Sequence, residues 1–204
     1  MIAVPERSPE RDAAIEAMLP NVPFDGWTWR AMRNGLASIG APVDDAELLF
    51  PGGIPDMLDL FFDLADRRME EAASAERDRS LSARVRAVIA LRLAQNRQHK
   101  EAIRRALALM SLRRHARLAA RCTARTVDAI WHAAGDRSAD FSWYTKRVTL
   151  GAIYSATNLY WLSDTSEDDA ATLAFVDRRL RDLGVVHRMR SKASGLACRS
   201  RRAA

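Results

Sequence analysis

The residues best equipped for chemistry lie between Trp131 and Leu162, reading WHAAGDRSADFSWYTKRVTLGAIYSATNLYWL. All three tyrosines and three of the five tryptophans fall here, beside His132, Asp136, Asp140, Lys146 and Arg147. Large aromatics next to cations in a polar turn suit recognition, because interface hot spots are enriched in Trp, Tyr and Arg. Packing offers another reading, in which Trp143 and Tyr144 cap the core. Catalysis has little to work with. His99, His115, His132 and His187 are scattered, with no Glu-x-x-His pair and no HExxH. Cys122 and Cys198 lack ligand-spaced partners, and no Gly-rich phosphate loop or Gly-x-Ser-x-Gly elbow occurs. His132 reads as a structural histidine at a helix end, and Asp136 and Asp140 as caps that brace the turn. A non-enzyme with no metal or cofactor is therefore expected.

Two helices must position this turn. Ala133, Ala134 and Gly135 close the first, since Gly suits a left-handed C-cap, and Asp140 opens the second as its N-cap. In the second helix Leu150, Ile153, Tyr154, Thr157 and Trp161 fall on one face, while Trp143, Lys146 and Arg147 sit at its polar end.

The chain as a whole is helix-forming. Of its 204 residues 48% are hydrophobic, Gly and Pro are sparse, and no run approaches the ~18 apolar residues of a membrane span. The periodicity predicts helices over 9–19, 27–39, 44–49, 54–75, 81–95, 98–111, 114–134, 141–162 and 168–189, with Pro20 and Pro23 ending the first. Thr165-Ser166-Glu167-Asp168 supplies an N-terminal signature for the last. Pro51-Gly52-Gly53 is a firm break. The opening MIAVPERSPERDAA reads as neither a secretory signal nor a transit peptide, and two distant cysteines suit a reducing compartment. With the Ala/Arg-rich composition, this predicts a bacterial cytoplasmic protein.

Short helices followed by longer ones is the order of TetR-type regulators: a helix-turn-helix unit, here 9–53, ahead of a larger helical ligand-binding part, 54–190, with a basic tail at 191–204. A ligand-responsive repressor is therefore one reading. Yet the stubby helix in the recognition position carries Asp44, Asp45 and Glu47 with no Arg or Lys. DNA binding gains affinity by releasing counterions to cations, so these carboxylates predict no nucleic-acid partner.

Charge is split along the chain. Residues 1–80 carry 16 acids against 8 Lys/Arg, a net of −8, and 81–204 carry 10 against 24, a net of +14. The halves face different partners, or each other. Arg97, Lys100, Arg104, Arg105, Arg113, Arg114, Arg117, Arg121 and Arg125 fall in a span whose only acid is Glu101. They read as the cationic face of amphipathic helices, solvated or set against anionic lipid headgroups or an acidic partner, a contact that weakens with salt.

The string WHAAGDRSADFSWYTKRVTLGAIYSATNLYWLSDTS closely resembles the signature of the Coq-nine family, accessory proteins of ubiquinone biosynthesis. GWTWRAMRNGLASIGAP and DRRLRDLG look like further family elements, so the similarity covers roughly 20–190. The resemblance implies a TetR-like all-α fold that binds lipid instead of DNA, and it implies homodimerisation. It also implies support of the di-iron hydroxylase acting on demethoxyubiquinone, to which an isoprenoid quinone intermediate or phospholipid is presented from the membrane.

In the family that hydroxylase docks on a patch whose matching positions here are Asp128, Ile130, Asp140, Trp143, Tyr144 and Arg147. The lipid needs an apolar cavity between the long helices, with Leu107, Met110, Ile130, Leu150, Ile153, Tyr154, Leu159 and Phe175 as candidate walls. Family members end in an amphipathic membrane-lying helix. This chain ends GLACRSRRAA, which departs from that pattern and predicts a weaker, salt-sensitive attachment at the periphery of the inner membrane.

Overall fold

The computed structural model describes residues 4–73, 80–136 and 142–182, with backbone alone for 142–146. Among the described residues the chain is helical and no strand occurs, as the all-α reading expects. The helices are α1 (Pro9–Met18), α2 (Val22–Asp25), α3 (Trp29–Ser38), α4 (Asp45–Leu49), α5 (Ile54–Ala72), α6 (Leu81–Gln95), α7 (Lys100–Met110), α8 (Ala116–Ala133), α9 (Ser142–Ser163) and α10 (170–182).

Local chemistry sets most boundaries. The Ser8 hydroxyl accepts from the Arg11 N–H at 3.2 Å, and the Thr28 hydroxyl accepts from the Ala31 N–H at 3.2 Å, capping α1 and α3. Pro20 and Pro23 do not end the helical path. Each sits in the first turn of a short new segment, at 19–21 and in α2, where a missing N–H costs nothing. Gly135 takes φ +72°, its N–H bonds to the His132 carbonyl, and the Asp136 N–H reaches back to Trp131, so α8 ends in the expected glycine cap. The Asp140 cap lies outside the described residues.

The start of α10 differs from expectation. A 3₁₀ turn occupies Glu167–Asp169, with Asp168 and Asp169 at φ +51° and +57°, and regular helix begins at 170. The cap is Asp164, whose carboxylate accepts from the N–H and hydroxyl of both Ser166 and Thr172. Asp169 turns instead to Lys100 and Arg97, each at 3.0 Å.

α1 packs on α3 at Gly35, where a Cβ would come within 2.7 Å of the Ala17 and Met18 backbone. Trp27 joins this corner to α7, its indole N–H donating to the Ala102 carbonyl at 3.0 Å. The axis of the molecule is α5, which packs most extensively on α8. It buries Met57, Leu58, Leu60 and Phe61 together with Asp59, Asp63 and Asp66. The charge asymmetry resolves here: the two halves face each other. Asp59 pairs with Arg125 at 2.8 Å and with Arg121, and Asp66 pairs with Arg92 at 2.8 Å. Arg125 is thus a buried counter-ion and not part of a solvated face. On α9 the predicted stripe of Leu150, Ile153, Tyr154, Thr157 and Trp161 is buried throughout.

Candidate functional site

α8 and α9 run antiparallel, with small residues where they cross. A Cβ on Gly151 would lie 3.6 Å from Val127 and 3.9 Å from Thr123, ordinary contact distances. Two apolar grooves follow from this crossing. One, of about 250 Å³, is walled by Phe62, Leu107, Met110, Tyr154 and Leu159. The other, of about 520 Å³, runs past Val127, Val148, Gly151 and Ala152 to Asp128 and Arg147. Ala119, Thr123 and Ser155 line both, so the two adjoin along the helix pair as a trough of two parts.

The trough owes its apolar character to polar groups engaged elsewhere. Thr126 donates its hydroxyl proton to Asp66 at 3.1 Å. Tyr154 accepts from the Arg92 guanidinium at 2.6 Å, and Cys122 gives its thiol to Asp59 at 3.4 Å. Each of these three side chains lines the smaller groove and turns its polar atom to a buried charge. Burial and the neighbouring Asp59 push the Cys122 thiol up to about 12, so it stays a neutral thiol at physiological pH. Burial pushes the Asp66 carboxyl up to about 6, against the pull of Arg92, Thr126 and Arg125. These three thus leave carbon facing the groove, beside Ser111, Thr123, Ser155 and Asn158, and the lining is mostly apolar, as a hydrocarbon chain requires.

The predicted residues divide. Leu107, Met110, Tyr154 and Leu159 meet in the smaller groove, and Leu159 is 66% exposed at its rim. Leu150 and Ile153 are buried on the core side of α9 and line neither groove. Phe175 lies apart, stacked on Tyr160 at 5.1 Å with Arg179 over its ring. Ile130 is fully buried, so it offers a docking partner no surface, and it walls neither groove. Asp128 and Arg147 pair with each other at the end of the larger groove. Trp143 and Tyr144 lie in the first turn of α9, four and three residues before Arg147, and their side chains are outside the described set.

Sequence reasoning missed Phe62, Ala119, Thr123, Gly151, Ala152 and Ser155. Except for Phe62, which lies on α5, their signal was present: small residues recur at three- and four-residue spacing on both α8 and α9, the pattern that lets two helices approach.

The helix in the recognition position, α4, has five residues, and its Glu47 pairs with Arg33. Among the described residues no group of three or more His, Cys, Asp or Glu could hold a metal ion, and no helix is long and apolar enough to cross a membrane.

A long-helix pair carrying an apolar trough behind a small three-helix corner defines a TetR-like fold. The structure is similar to that of a TetR transcriptional regulator from Nitrosomonas europaea, with a TM-score of 0.68 and 24% identity over 85% of this chain and 97% of that one. That likeness concerns the fold alone. The family model described as COQ9 matches residues 116–187, from the first residue of α8 into the last helix.

The ubiquinone biosynthesis protein coq9 of Schizosaccharomyces pombe is 31% identical over 182 residues, spanning 87% of this chain and 71% of that protein. The COQ9 proteins of Homo sapiens and Rattus norvegicus are 30% and 29% identical over 177 residues; this chain spans 55% and 56% of their lengths. All three are named as mitochondrial ubiquinone biosynthesis proteins. The chain belongs to the COQ9 family.

Proposed function

We propose that this protein is a non-catalytic accessory factor of ubiquinone biosynthesis that holds a lipid in the α8–α9 trough. The lipid is an isoprenoid quinone intermediate or a phospholipid, offered to the di-iron hydroxylase that acts on demethoxyubiquinone. The hydroxylase docks through the positions Asp128, Asp140, Trp143, Tyr144 and Arg147. The protein works as a homodimer in a bacterial cytoplasm, at the anionic surface of the inner membrane.

The observation that carries this reading is the lining of the trough. Thr126, Tyr154 and Cys122 each direct a polar atom into the ionic network behind the wall. The trough ends at the Asp128–Arg147 pair, so a lipid along it points toward the docking face. The test is genetic. Cells lacking this chain accumulate demethoxyubiquinone at the expense of ubiquinone, and its return restores the balance. An unchanged quinone profile overturns the proposal.

A further inference from the structure

Of the nine cations between Arg97 and Arg125, six have acidic partners. Arg97 and Lys100 pair with Asp169, Arg104 and Arg105 with Glu101, and Arg121 and Arg125 with Asp59. Arg113, Arg114 and Arg117 pair with no acid among the described residues, and all three are exposed; the one polar partner among them is His115, 3.0 Å from the Arg114 guanidinium. They cluster at one corner, the 3₁₀ turn of Arg113–His115 that joins α7 to α8. Leu112 projects from the same turn, 40% exposed. Directly before it, Met110 and Ser111 form the rim of the smaller groove.

We propose that this corner, residues 111–117, is the edge by which the protein docks on an anionic lipid bilayer, with Leu112 entering the acyl boundary and the three arginines on the headgroups. The proposal rests on the reading of the trough as a lipid site and assigns its mouth. Charge complementarity selects an anionic surface, since three guanidiniums without acidic partners sit within five residues. An apolar side chain set among them favours a bilayer over a nucleic-acid backbone, which would leave Leu112 in water. Continuity with the groove gives a lipid a short path from membrane to trough.

The experiment uses the full chain with vesicles of phosphatidylcholine, alone or mixed with phosphatidylglycerol. An environment-sensitive dye on Leu112→Cys, in a Cys198→Ser background, brightens and shifts to the blue with the anionic vesicles alone. Arg113→Gln/Arg117→Gln lowers partitioning onto them by about 30-fold. The charge-matched control Arg30→Gln/Arg33→Gln, on α3, leaves it unchanged.

Native mass spectrometry of the same samples reports lipid in the trough separately. Vesicle binding that depends on the corner supports the proposal, even if the trough proves empty and the lipid reading falls. Equal binding by the two double variants, or equal binding to neutral vesicles, overturns it whatever the trough holds. Retention of an RNA or DNA oligonucleotide in place of vesicles overturns it as well.

Discussion

Arg147 on α9 donates its guanidinium N–H to the carboxylate of Asp128 on α8 at one end of the trough, tying together two positions of the proposed docking face. The pair is part-buried, with side chains 22% and 37% exposed, so its worth to stability is small. Arg147→Ala should cost no more than about 1 kcal/mol in urea unfolding. The same change should weaken hydroxylase binding by about tenfold or more, as the loss of an Arg at a hot spot does. Calorimetry with the purified hydroxylase reads the second quantity. Full affinity in the variant would remove this pair from the docking face.

At Gly35 the argument is steric. A Cβ there meets the Ala17 and Met18 backbone at 2.7 Å, and backbone cannot step aside as a flexible side chain can. Gly35→Ala should therefore destabilise by about 1–3 kcal/mol, although alanine is the better helix former in isolation. Thermal melts decide it: a raised midpoint would show that α1 and α3 are not packed this closely.

The Asp164 cap predicts an acid-side effect. Desolvation works to raise its carboxyl, but hydrogen bonds from Ser166 and Thr172 prevail and hold it far below the ordinary 3.8. A carboxylate with a depressed folded value adds stability above the unfolded value and loses it as pH falls through the folded one. Wild type should exceed Asp164→Asn in melting temperature at pH 6. The gap should narrow as pH falls below 3.8 toward 2. A gap that is constant with pH would mean the carboxylate charge plays no part in the cap.

Some of this was legible along the chain and some was not. The buried face of α9 could be read because helical period is a local property, and Leu150, Ile153, Tyr154, Thr157 and Trp161 are all inside. Gly135 was legible because a left-handed cap needs a particular residue at one place. The fate of the arginines was not. Arg125 and Arg113 look alike in sequence, and only the packing of α5 on α8 brings Asp59 to the first and, among the described residues, no acid to the second. Leu150 and Ile153 read as groove walls in the sequence because periodicity identifies the apolar side of a helix, not which part of it stays uncovered. The trough depends on where Ala119, Thr123, Gly151 and Ser155 bring two helices together, a property of the crossing and not of either strip alone.

Ser155 faces both grooves and is exposed, so a large side chain there fills the trough without entering the core. The most direct measurement is native mass spectrometry of wild type and Ser155→Trp, purified side by side without detergent and matched in helical content and melting temperature. The account predicts a bound isoprenoid or phospholipid in the wild type and its loss in Ser155→Trp, with Ser155→Ala retaining it. A wild-type protein that carries no lipid, or a tryptophan variant that carries as much as the wild type, would contradict it.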